Sequence, residues 1–105
     1  MANSGYVMAS KMIVEEKKPV MFMYREKADN SQDSGWRFFS GLETQEYIDD
    51  PNNTVICDIY SVLDVDRTVV PYLDSVAGLA FERDDAGQPF KVASDFDFSV
   101  DDGGK

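Results

Sequence analysis

Apolar positions in this chain fall in short runs separated by charged or turn-forming residues, a rhythm that predicts strands and short helices rather than long ones. Tyr6 to Glu15 reads as a first strand, with Val7, Ala9, Met12 and Val14 apolar, closed by the charged turn Glu15-Glu16-Lys17-Lys18-Pro19. Val20-Met21-Phe22-Met23-Tyr24 is an unbroken apolar run ending at Arg25. So short and continuous a run predicts a central strand covered on both faces. Glu26 to Gly35 has loop composition, and Trp36 to Phe39 returns to strand. The two-residue period turns Trp36 and Phe38 to the core and Arg37 and Phe39 to the opposite side.

Ser40-Gly41-Leu42-Glu43 has the spacing of a capping box with Ser40 as N-cap, and Thr44 competes for that place. The short helix that follows carries Tyr47 and Ile48 and must stop near Asp50, because Pro51 disfavours helical geometry before it. Thr54-Val55-Ile56-Cys57-Asp58 reads as a buried strand. Ile59, Val62 and Leu63 then have helical spacing, and Asp66 is placed to cap a second helix through Leu73, with Pro71 near its start or kinking it. Leu79–Arg83 and Pro89–Ala93 flank Asp84-Asp85-Ala86-Gly87 as a hairpin. Strands at both ends with short helices between them predict an α+β class: one small, mainly antiparallel domain over residues 1–94 and an acidic C-terminal tail over 95–105.

Composition narrows the picture. A chain of 105 residues has room for one core, and 43% hydrophobic content is enough to build it. The N-terminus lacks the basic and apolar regions of a secretory signal, and the longest apolar run is far too short to span a bilayer. A single cysteine, Cys57, cannot form an intrachain disulfide, which points to a reducing, cytoplasmic setting. The net charge is −10, and it is lopsided: residues 1–40 carry +1 and residues 41–105 carry −11. Such a field repels nucleic acid and anionic membranes and attracts a basic partner, although solubility alone also accounts for an acidic excess.

Candidate chemistry is mostly removed by what is missing. With no histidine and one cysteine there is neither the commonest general base nor a Cys/His zinc set. Asp95-x-Asp97-x-Ser99 opens like a calcium loop, but Val100 stands where glycine is required. The glycines are too scattered for a phosphate loop. No enzymatic activity, metal or cofactor is therefore expected, and Cys57 is expected to be a buried structural thiol. What remains is recognition. Aromatic and arginine residues are the usual anchors of interfaces, and the candidate contact residues are Arg25, Asp33, Arg37, Phe39, Glu43 and Tyr47.

Tyr24-Arg25-Glu26, Asp33-Ser34-Gly35-Trp36-Arg37-Phe38-Phe39-Ser40-Gly41, Glu46-Tyr47-Ile48-Asp49-Asp50-Pro51-Asn52-Asn53 and Val70-Pro71-Tyr72-Leu73-Asp74-Ser75, followed by Gly78 and Ala80-Phe81-Glu82-Arg83-Asp84, form an ordered set. This set resembles the bacterial immunity protein thirty-three-like domain, from about Val7 to Asp84. The resemblance implies a bacterial cytoplasmic protein that neutralises a cognate toxin by direct binding. The acidic field makes a basic toxin domain the expected partner. The resemblance supplies no catalytic residue. A second expectation is a small-ligand-binding or regulatory domain, with Arg25 and Arg37 meeting an anionic group beside Trp36. Oligomeric state is not readable from the sequence.

Overall fold

The computed structural model describes residues 5–94. The expected acidic tail, 95–105, lies outside them. The elements are β1 (Tyr6–Ser10), α1 (Lys11–Val14), β2 (Phe22–Arg25), β3 (Asp33–Phe39), α2 (Gln45–Asp49), β4 (Thr54–Cys57), α3 (Ile59–Leu63), β5 (Leu79–Glu82) and β6 (Lys91–Val92), with 3₁₀ segments at Pro51–Asn53 and Arg67–Tyr72. The strands form one sheet in the order β4-β1-β3-β2-β5-β6. Among the described residues only the β1–β3 pair is parallel; the others run antiparallel. A mostly antiparallel sheet with several short helices is an α+β fold.

One face of the sheet carries the core. Val7, Ala9, Met23, Trp36, Phe38 and Phe81 project from it onto Ile13 of α1, Ile59, Val62 and Leu63 of α3, and Val69 and Leu73 of the second 3₁₀ segment. The Trp36 ring stacks on Phe38 at 5.7 Å, and its indole N–H donates to the Leu73 carbonyl at 3.1 Å. That bond supplies the partner a buried indole needs.

Several elements differ from the sequence reading for definable reasons. The expected first strand stops at Ser10, because the Ser10 hydroxyl accepts the Met12 amide and starts a helical turn. Lys17, at φ 63°, then takes the left-handed conformation that reverses the chain. Ser40 and Glu43 do form half of a capping box: the Glu43 carboxylate accepts the Ser40 and Gly41 amides and the Ser40 hydroxyl. The helix, however, starts later, with Thr44 as its N-cap. Asp66 caps as expected, but the segment is 3₁₀ with Pro71 inside it. That carboxylate also accepts the Val20 amide and pairs with Arg83 at 2.6 Å. The strand expected to be buried, β4, is instead an edge of the sheet.

The largest departure is β3, which begins at Asp33, inside the expected loop. Tyr6 pairs with Asp33 and Met8 with Arg37, so two steps along β1 match four along β3. The two extra residues form a bulge around Gly35, at φ 90°. A Cβ at Gly35 would collide with the Glu26 carbonyl oxygen, so only glycine fits both the conformation and the space. The bulge folds Asp33 back against Arg37, two side chains that a regular strand would hold about 13 Å apart.

Candidate functional site

The pairing register fixes which side chains occupy the face opposite the core. Phe22 and Tyr24 of β2 stand beside Phe39 and Arg37 of β3, and Met8 of β1 stands opposite Ile56 of β4. Phe22, Tyr24 and Phe39 form an aromatic triad. Their ring centroids lie 5.9, 6.0 and 6.3 Å apart, with Tyr24 and Phe39 stacked. All three are half-buried. Tyr24 and Phe39 line two adjoining depressions, and Phe22 lines the first of them. One, of about 470 Å³, is lined by Phe22, Tyr24, Phe39, Glu43, Gln45 and Ile48. The other, of about 360 Å³, runs on past Met8, Ile48, Pro51, Thr54 and Ile56 and takes in the paired Glu26 and Arg37. Ile48 of α2 lines both.

Arg37 lies under this groove and is almost wholly buried, at 3% exposure. Its Nη1 and Nη2 donate to the two Asp33 carboxylate oxygens at 2.9 and 2.8 Å, its Nε donates to Glu26 at 2.6 Å, and Nη1 also reaches the Trp36 carbonyl. The Asp33 carboxylate accepts the Gly35 and Asp29 amides as well. Arg37 is the main reason the Asp33 carboxyl is held well below the usual carboxylate range; burial opposes the shift and the two amides reinforce it. Burial works against the Arg37 charge, but the hydrogen bonds it donates to Asp33 and Glu26 outweigh it and hold the guanidinium above its ordinary range.

The six residues singled out from the sequence are therefore spread over different tasks. Arg37 and Asp33 form the buried pair that closes the β3 bulge. Arg25 is on the core-side face, where its Nε donates to the Ser34 carbonyl and its Nη1 to the Ser75 carbonyl, 5.9 Å from the Trp36 ring centroid. It ties the 73–78 connection to β3. Phe39 and Glu43 line the groove. Burial raises the Glu43 pKa, but hydrogen bonds from the Ser40 amide and from the Ser10 and Ser40 hydroxyls bring it below its ordinary value. Tyr47 sits half-buried on α2. Phe22, Tyr24, Met8, Ile48 and Ile56 were not selected from the sequence. The alternation that puts Phe39 on this face would also have placed Phe22 and Tyr24 there, had the run 20–24 not been read as buried on both sides.

No buried side-chain nitrogen or oxygen among the described residues lacks a hydrogen-bond partner. The groove thus offers apolar and aromatic surface rather than an unsatisfied polar group. Arg25 and Arg37 do not form an anion cradle beside Trp36, whose ring is in the core. Among the described residues, no group of three or more His, Cys, Asp or Glu is placed to hold a metal ion, and no helix is long and apolar enough to cross a membrane.

The profile of the Immunity protein Imm33 domain matches residues 7–93. The chain belongs to this family. No curated protein and no solved structure gives a significant match. In this Imm33 domain the groove has an acidic surround. Glu46, Asp49 and Asp50 are exposed on and after α2, near Ile48 in the chain; Asp84 and Asp85 are exposed at the Phe22 end, in a further depression that also takes in Glu82 and Lys18. Cys57 is half-exposed rather than buried; partial burial, aided by the Asp58 charge, pushes its thiol pKa up, away from the reactive thiolate.

Proposed function

We propose that this Imm33 domain is a non-enzymatic cytoplasmic immunity protein that neutralises a cognate bacterial toxin by direct binding through its aromatic groove. Family membership supports an immunity role and implies a protein partner. The observation that carries the choice of surface is the half-buried triad Phe22, Tyr24 and Phe39, set on the face away from the core. Aromatic anchors at the centre of a patch, ringed by polar residues, are how binding energy is usually concentrated at an interface. The surrounding Glu and Asp side chains favour a basic toxin face. They speed encounter, while the aromatic centre slows release.

The direct test is coexpression with toxin domains taken from the genes that flank this one. Growth is restored by the wild-type chain, and the purified pair associates faster as salt falls. A toxin that kills equally well in its presence removes the immunity reading for this protein.

A further inference from the structure

The sheet has two edges, and they are built differently. β6 is only two residues long and carries Lys91, and short, charged edges resist pairing with other chains. β4 runs four residues, Thr54-Val55-Ile56-Cys57, in unbroken register with β1 across every pair. It contains no lysine, proline or glycine and no bulge. Among the described residues nothing pairs with its outer side. Ile56 is 62% exposed in the middle of it. Such an edge is a ready template for an added strand.

Its surroundings indicate what kind of strand. Ile56 lies at the mouth of the depression that continues into the groove past Met8, Ile48, Pro51 and Thr54. An added strand would send alternate side chains onto that surface. Both ends of β4 are acidic: exposed Asp49 and Asp50 precede it and exposed Asp58 follows it. Asp50 and Asp58 also cap the helical segments after them, so their positions are fixed. Antiparallel pairing with a second copy would set the Asp50 end against the Asp58 end, acid against acid, in a chain of net charge −10. A strand flanked by Lys or Arg meets the opposite condition.

The geometry points to β4 as the acceptor edge for an extended segment of the toxin, apolar at alternate positions and flanked by basic residues. This rests on the toxin-binding reading above and adds the mode of recognition. The test uses the full chain and a toxin domain, taken from a flanking gene, that it protects against, with hydrogen exchange on the free and bound chain and affinities for Ile56→Lys and Ile56→Val. Complex formation is expected to slow exchange at residues 54–57. Ile56→Lys should bind at least tenfold more weakly with an unchanged melting temperature, while Ile56→Val binds nearly as wild type. A complex in which 54–57 exchange as in the free chain overturns the edge inference and leaves toxin binding standing; should Ile56→Lys itself unfold, this wild-type comparison decides. A free chain that dimerises with protection at 54–57 makes a second copy the occupant, which also overturns it. Absence of any complex removes the toxin-binding reading, and the edge inference with it.

Discussion

Replacing Asp33 with asparagine keeps the shape of the side chain but removes the charge facing Arg37. In the native protein the Asp33 side chain has no exposed surface and the Arg37 side chain retains only 3%. One oxygen of the asparagine can still accept from the guanidinium, but its amide nitrogen would point at another donor. Breaking one side of a buried ion pair costs about 3–5 kcal/mol, because a charge is left buried and uncompensated. Glu26, 28% exposed and 2.6 Å from Arg37 Nε, still offsets part of that charge, so the lower end, about 3 kcal/mol, applies. A domain of this size has a total stability of about 5–15 kcal/mol, so this is a large fraction. At roughly 4–8 °C per kcal/mol it lowers the melting temperature by about 12–24 °C. Urea unfolding followed by the fluorescence of Trp36, the single tryptophan and a core residue, measures it directly. A double variant sets a sharper requirement. Arg37→Met placed on top of Asp33→Asn should recover part of the loss, since the buried guanidinium is then gone and the carboxylate it leaves behind, Glu26, is partly exposed to water. A loss below about 1 kcal/mol for Asp33→Asn, or a double variant less stable than the single, would refute this account of the bulge.

Acid should act through the same groups. The Asp33 and Glu43 carboxyls are both depressed in the folded state, so their stabilisation is fully present above the ordinary carboxylate range, about pH 4, and is lost as pH falls towards their folded values. Urea midpoints measured from pH 6 to pH 2 should fall steeply below that range and less steeply in Asp33→Asn; identical slopes would contradict the assignment. Gly35→Ala must bear both a left-handed φ and a collision with the Glu26 carbonyl, whereas at Gly78 a Cβ meets nothing within 4 Å. Chemical denaturation should show the first costing about 3 kcal/mol or more and the second about 1 kcal/mol, and equal losses would count against the bulge geometry.

How far the sequence disclosed this fold depends on whether a signal was local. Trp36 and Phe38 were placed in the core by alternation, the Leu79–Ala93 hairpin by its turn residues, and the Asp66 cap by its position before a helical segment. The bulge was not legible. Asp33-Ser34-Gly35 has turn composition, and its strand character depends on Tyr6, Met8 and Arg37, which only the fold brings alongside. The same holds for Arg25 and Arg37. A strand arginine next to an aromatic looks the same in sequence whether it faces a ligand or a buried carboxylate. The groove was half legible, since Phe39 was assigned to the right face while Phe22 and Tyr24 were hidden in a run too apolar to show alternation. Edge position cannot be read from Thr54–Cys57 alone, because an apolar tetrapeptide looks the same at the centre of a sheet as at its margin.

The proposed toxin-binding surface is the aromatic groove, and not Arg25 and Arg37. The measurement that tests it most directly is the dissociation constant of a toxin domain that the chain protects against, for the wild-type chain and for Phe39→Ala, with the melting temperature of each. Loss of a central aromatic anchor costs about 2 kcal/mol or more in binding, so the account predicts affinity at least about thirtyfold weaker in a chain that still folds. Unchanged affinity in a folded Phe39→Ala chain would move the binding surface elsewhere on the molecule.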